Sequence, residues 1–281
     1  MFYVFSTPQS LAQHLSNLLI QRIQQKPNIV LGLATGSTME PVYGNFVQRI
    51  KQDNVDLSQV RSYNLDEYIG LPPEHEQSYH FFMNQNLFSL VNMKPEQLHL
   101  PSGSKQDIET ECKKYSEQIN KEGIDFQLLG IGTNGHIGFN EPGTPFNSLT
   151  HMIELSEKTR ADNGRFFNDM NEVPTHAITM GMADIMSAKE IALVITGKHK
   201  AQTVLNLYNS PITEEMPASM LKQHANTHFF IDEAAASLLP KESQSKESKK
   251  RGTRNGGKKK DQGINKSKQP SNRLHQGKRL E

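Results

Sequence analysis

Three polar segments of this chain carry side chains suited to chemistry, and each follows a short apolar run. The first is Thr35-Gly36-Ser37-Thr38, after IVLGLA. Glycine permits a tight backbone there, and free N–H groups with hydroxyls at the start of a helix suit an anion. The alternative is that a hydroxyl merely caps that helix. The second is Asn64-Leu65-Asp66-Glu67-Tyr68. Side chains alternate in extended backbone, so only one of the two adjacent carboxylates can face a given site. A carboxylate at the mouth of a sheet can accept a proton; a solvated acidic loop is the plainer alternative. The third segment runs from Gly130 to Glu141 and contains Asn134 and His136. A carboxylate such as Glu141 can orient an imidazole and stabilise its charge, and imidazole moves protons near neutral pH. A capped loop histidine near a surface glutamate is the competing possibility. Two cations, Arg165 in NGRFF and Lys200 in GKHK, could neutralise a phosphate or remain exposed charges.

Two other chemistries fit poorly. Gly130-Ile131-Gly132-Thr133-Asn134-Gly135 matches the G-x-G-x-x-G dinucleotide fingerprint, but the following HIGFNEP does not read as the helix that fingerprint requires. No cofactor is therefore expected. His136 has no partner at ligand spacing, with neither His75 nor His80 forming a pattern with it, so no metal is expected.

The elements that must position these groups alternate in type. Strands are predicted at Phe2–Phe5 and at 29–34, 60–65, 126–131, 191–196 and 227–231. Helices are predicted between them: at Pro8–Gln25, where Leu11, Leu15, Leu18, Leu19 and Ile23 fall at helical spacing, around Val42–Ile50, and at 78–90, 107–123, 181–186, 198–208 and 217–224. Residues 66–68 read as an acidic turn and 140–163 as a long irregular stretch, a candidate binding loop or lid. Buried strands alternating with helices predict an α/β fold, Rossmann-like, with a mostly parallel sheet covered on both faces. Ligands of such sheets bind beyond the carboxyl ends of the strands, where all three polar segments lie.

Charge divides the chain in two. Residues 241–281 hold 14 Lys and Arg against 4 Asp and Glu, a net of +10, whereas the rest holds 17 against 26, a net of −9. The basic segment has Ile264, Leu274 and Leu280 as its only aliphatic residues, too few to offset the entropy of ordering. The expectation is a folded domain over 1–239 and a disordered basic tail over 240–281. The tail lacks an aromatic residue to stack on bases, so its binding to polyanions is expected to be weak and salt-sensitive. Cys112 is the only cysteine and sits in a helical pattern, as an ordinary helix residue would. The start MFYVFSTPQS lacks a basic region and a long apolar run, and no window approaches 18 apolar residues. A cytoplasmic protein without a membrane span is expected.

LGLATGST (31–38), NLDEYIGL (64–71), LLGIGTNGHIGFNEPGT (128–144) and NGRFF (163–167) together resemble the glucosamine-6-phosphate deaminase family. The resemblance spans about residues 2–239. It implies a metal-free conversion of glucosamine 6-phosphate and water to fructose 6-phosphate and ammonia. It implies that Asp66 moves a proton between C2 and C1, that His136 catalyses ring opening, and that Glu141 and Asn134 assist it. Gly36, Ser37, Thr38, Arg165 and Lys200 fall on phosphate-contacting positions. Many relatives have Asp where this chain has Asn134, which cannot ionise. Ser37 replaces a family glycine, which is tolerable at negative φ. The positions that bind an acetylated activator in allosteric members hold His151 and Ile153, so that site is expected to be absent. A monomer and a homo-oligomer both remain compatible with the sequence. The rivals are a 6-phosphogluconolactonase-like hydrolase, which needs no enolising carboxylate, and a non-catalytic sugar-phosphate sensor, which would need neither Asp66 nor His136.

Overall fold

In the computed structural model, the residues described are 2–104, 106–164, 167 and 169–240. Arg165 and the segment 241–281 lie outside them.

Ten strands and seven α-helices are described. The strands are β1 (Phe2–Phe5), β2 (Val30–Leu33), β3 (Arg61–Asn64), β4 (Asp66–Tyr68), β5 (Leu98–His99), β6 (Phe126–Leu129), β7 (His151–Glu154), β8 (His176–Thr179), β9 (Ile191–Ile195) and β10 (Thr227–Asp232). The helices are α1 (Pro8–Gln25), α2 (Glu40–Asp53), α3 (Tyr79–Asn86), α4 (Ile108–Glu122), α5 (Glu157–Gly164), α6 (Met182–Met186) and α7 (Ala201–Asn209). Seven strands form a parallel sheet in the order β1-β10-β9-β6-β2-β3-β5. Residues of β2, β6 and β9 are buried throughout, as expected of strands covered on both faces. The chain builds outward from β2 through β3 to β5, then resumes on the other side of β2 with β6. That reversal opens a crevice at the carboxyl ends of β2 and β6.

The helices start and stop where their sequences direct. Leu11, Leu15, Leu19 and Ile23 of α1 are buried along one stripe. Thr7 and Ser10 exchange hydrogen bonds at its start, with Thr7 Oγ1 accepting from Ser10 N at 3.1 Å and Ser10 Oγ from Thr7 N at 3.1 Å. Asp107 caps α4 by accepting from Thr110 N at 3.0 Å, and Gly123 ends it at φ 72°. No helix among the described residues is long and apolar enough to cross a membrane.

Two expectations need correction. Residues 66–68 are strand β4, which pairs antiparallel with β8, and β7 extends this second sheet in the order β4-β8-β7. The stretch 140–163 is therefore not irregular: it contains β7 and most of α5. The helices expected at 217–224 and 198–208 are present, the first as a 3-10 helix over Pro217–Gln223 and the second as a 3-10 turn at Lys198–Lys200 leading into α7. The small sheet has its own apolar cluster of Tyr68, Phe139, Leu155 and Ala177.

Candidate functional site

Four neighbouring strands of the main sheet, β9, β6, β2 and β3, deliver their following loops to one cleft of about 340 Å³. Its walls include Thr35–Thr38, Asp66, Tyr79, Gly130–Thr133, His136, Thr159, His199 and Lys200. The structure thus brings together Gly36, Ser37, Thr38, Asp66, His136 and Lys200 at one opening.

In the turn after β2, Gly36 adopts φ 101°, a conformation that favours glycine. The capping alternative does not hold. The residue before α2 is Met39, with no side-chain cap, and the Ser37 and Thr38 hydroxyls make no hydrogen bond among the described residues. Outside glycine, only Asn54 and Asn92 among the described residues have positive φ, so Ser37 sits where the family glycine is dispensable. Lys200 Nζ donates to the Ile131 carbonyl at 2.8 Å, which holds its charge against the β6 loop. Asp232 fixes the turn carrying it by accepting from Gly197 N at 3.0 Å and from Ala235 N at 2.8 Å.

Asp66 and Glu67 divide as alternation requires. Both are buried, but only Asp66 lines the cleft. No donor reaches the Asp66 carboxyl among the described residues. Burial, and then the neighbouring charge of Glu67, push its pKa up to about 8. The backbone opposite is cut to fit it: a Cβ on Gly138, which has φ 59°, would lie 2.8 Å from Thr179 Oγ1 and 3.3 Å from Asp66 Oδ2.

His136 lies against the backbone of Gly132, where a Cβ would meet its ring at 2.1 Å. Its Nδ1 faces Glu141 Oε1 at 3.4 Å, close enough for an ion pair but too poorly aligned to count as a hydrogen bond. Glu141 is otherwise well held. Asn134 Nδ2 donates to Oε2 at 2.6 Å and Thr159 Oγ1 donates to Oε1 at 2.9 Å. Partial burial works to raise the Glu141 pKa, but His136, Asn134 and Thr159 together bring it down to about 2. Asn134 Oδ1 also accepts from His136 N at 3.2 Å. Its amide therefore acts on the His136 backbone and on Glu141, and the donation to Glu141 is one that an ionised Asp could not make.

Thr159, Tyr79 and His199 were not singled out in the sequence. Thr159 sits in EKTRAD, where nothing marks it; only the packing of α5 beside the cleft reveals its role.

We expect Gly132→Ala to leave the fold nearly intact, because the His136 ring can swing away. Displacing that ring should still lower kcat on the order of tenfold. Steady-state kinetics beside thermal melting will check this.

A parallel α/β sheet with a glycine turn, a lysine, a buried carboxyl and a histidine around one small opening is the layout of an acid–base enzyme for a small anionic substrate. Residues 6–230 match the family described as glucosamine-6-phosphate isomerases/6-phosphogluconolactonase, and the chain belongs to that family. It is 46% identical over 235 residues to the glucosamine-6-phosphate deaminase of Thermoanaerobacter pseudethanolicus, covering 83% of this chain and 93% of that protein. It is 48% identical over 231 residues to the glucosamine-6-phosphate deaminase of Shouchella clausii, covering 82% and 94%. A solved monomeric glucosamine-6-phosphate deaminase superposes with TM-score 0.82 at 42% identity, covering 84% of this chain and 99% of that one. The 6-phosphogluconolactonase of Trypanosoma brucei superposes with TM-score 0.66 at 18% identity and shares the fold.

Proposed function

We propose that this chain is a glucosamine-6-phosphate deaminase, converting glucosamine 6-phosphate and water to fructose 6-phosphate and ammonia. The observation that carries the proposal is Asp66, a buried carboxyl without a donor on the wall of the cleft. Lactone hydrolysis has no use for such a group, and a sensor has no use for a proton acceptor.

In this mechanism the phosphate lies at 35–38, with Lys200 supplying charge. Arg165 is assigned to the same phosphate by family resemblance alone. His136, with Glu141 behind it, moves the proton that opens the sugar ring. Asp66 takes the proton from C2 and returns it to C1, leaving an imine at C2. Water adds to that carbon, the C–N bond breaks, and ammonia departs. Each of these residues lies within 1–239, which we take as the catalytic domain, and the basic segment 240–281 has no part in the chemistry. With His151 and Ile153 on β7 where a cationic clamp would be needed, N-acetylglucosamine 6-phosphate is not an activator in this scheme. The substrate class supports a cytoplasmic location.

The test is ammonia release from glucosamine 6-phosphate by the purified chain, with 6-phosphogluconolactone as a parallel substrate. Deamination that persists in EDTA is the expected result. Lactone turnover without ammonia release would overturn the assignment.

A further inference from the structure

Glu67 is the counterpart of Asp66 on the opposite face of β4, and its surroundings are the reverse. It is 2% exposed, yet three backbone N–H groups and a histidine ring nitrogen converge on it. Oε1 accepts from Tyr68 N at 2.8 Å and from Tyr79 N at 3.0 Å. Oε2 accepts from His80 N at 2.9 Å and faces His80 Nδ1 at 2.8 Å. Tyr79 and His80 open α3, where backbone N–H groups have no partner within the helix. Ser78 Oγ accepts from the next one, Phe81 N, at 3.0 Å. Glu67 therefore joins the amino end of α3 to the strand that carries Asp66. The negative charge is also well placed at that helix end. Tyr79, the first residue so held, is itself a wall of the cleft.

We propose that Glu67 is a positioning residue for proton transfer: it clamps α3 to β4 and so fixes Asp66 and Tyr79 relative to each other across the cleft. The proposal rests on Asp66 being the proton acceptor. It also gives Glu67 an electrostatic part. The groups facing Asp66 are Glu67 and Tyr68 from its own strand, Tyr79 from α3, Tyr115 from α4, Thr179 from β8 and, across the cleft, His136 and Lys200. Of these, Glu67 supplies the negative charge that acts on Asp66. His80 faces Glu67 from α3, its Nδ1 2.8 Å from Oε2.

Two variants of the full chain separate positioning from mere structural support. In Glu67→Gln the charge is lost, so Asp66 should ionise more easily. The acid limb of kcat/KM should move down by roughly one pH unit, and kcat should fall on the order of tenfold as the clamp loosens. In His80→Asn the Glu67 charge stays but loses the ring nitrogen 2.8 Å from Oε2, so less of it is spent on α3 and the limb should move up. Titration of the Asp66 carboxyl by carbon NMR without substrate reads the same two shifts independently of turnover. If wild-type protein releases no ammonia, the deaminase assignment fails while this titration still tests the coupling. If Glu67→Gln does not fold, His80→Asn decides. Loss of kcat with the Asp66 titration unmoved in the folded variants would overturn the proposal and leave Glu67 a structural residue.

Discussion

Asp66→Asn should remove nearly all ammonia release while making the protein harder to unfold at neutral and alkaline pH. The loss of activity should be on the order of 10²-fold or more, the worth of a positioned base, since an amide cannot accept the C2 proton. The gain in stability follows from linkage. Burial and Glu67 raise the Asp66 pKa to about 8 in the folded chain, against about 4 for an unfolded aspartate. Between these values the unfolded chain has released the proton and the folded chain retains it. Wild-type stability therefore falls as pH rises across that window. Asn carries no proton to lose, so the variant escapes the decline. Its advantage in melting temperature should be small near pH 4, widen up to about pH 8 and then level off. In the wild type, kcat/KM should rise with pH through the same upper value as Asp66 ionises. Thermal melting against pH, alongside a pH–rate profile, checks both. A variant with near wild-type kcat would remove Asp66 from the chemistry. A melting gap that does not depend on pH would show that its carboxyl is not perturbed.

The sequence made the main sheet readable because its strands are short apolar runs bounded by turn residues, as in IVLGLA and IALVIT. The stripe of Leu11, Leu15, Leu19 and Ile23 likewise announced α1. The second sheet was hidden. Asp66-Glu67-Tyr68 has no apolar alternation, and its extended form depends on β8, more than a hundred residues away. Strand β7, with the pattern HMIE, is too short and polar to stand out. The site was legible where chemistry and glycine coincide in one segment, as in Gly130–Glu141. It was illegible where a partner comes from elsewhere. Glu67 depends on donors of α3 about twelve residues on, and Glu141 on Thr159 of α5. Alternation showed that Asp66 and Glu67 must part; only the packing showed that Glu67 receives three backbone N–H groups and Asp66 no donor among the described residues.

His136→Gln should slow ring opening far more than proton transfer at C2. The structure gives the ring one anchored side: Nδ1 faces Glu141 and the backbone of Gly132 lies beneath. The ring itself borders the cleft, where it can exchange a proton with the sugar. Glu141, held at about 2 by its partners, remains ionised at every pH at which the enzyme would work, so it can stabilise the imidazole as that gains a proton. Gln preserves polarity and approximate bulk but cannot gain and lose a proton in this range. The loss on cyclic glucosamine 6-phosphate should be on the order of 10²- to 10⁴-fold, the usual contribution of an acid–base group. Asp66 is untouched, so an analogue already in the open-chain form should recover much of that loss. The decisive comparison is the ratio of variant to wild-type kcat/KM on the two substrates. A ratio near one-hundredth on the ring form and near one on the open chain assigns His136 to ring opening. Equal loss on both would move His136 into the enolisation step, where its work would have to be shared with Asp66.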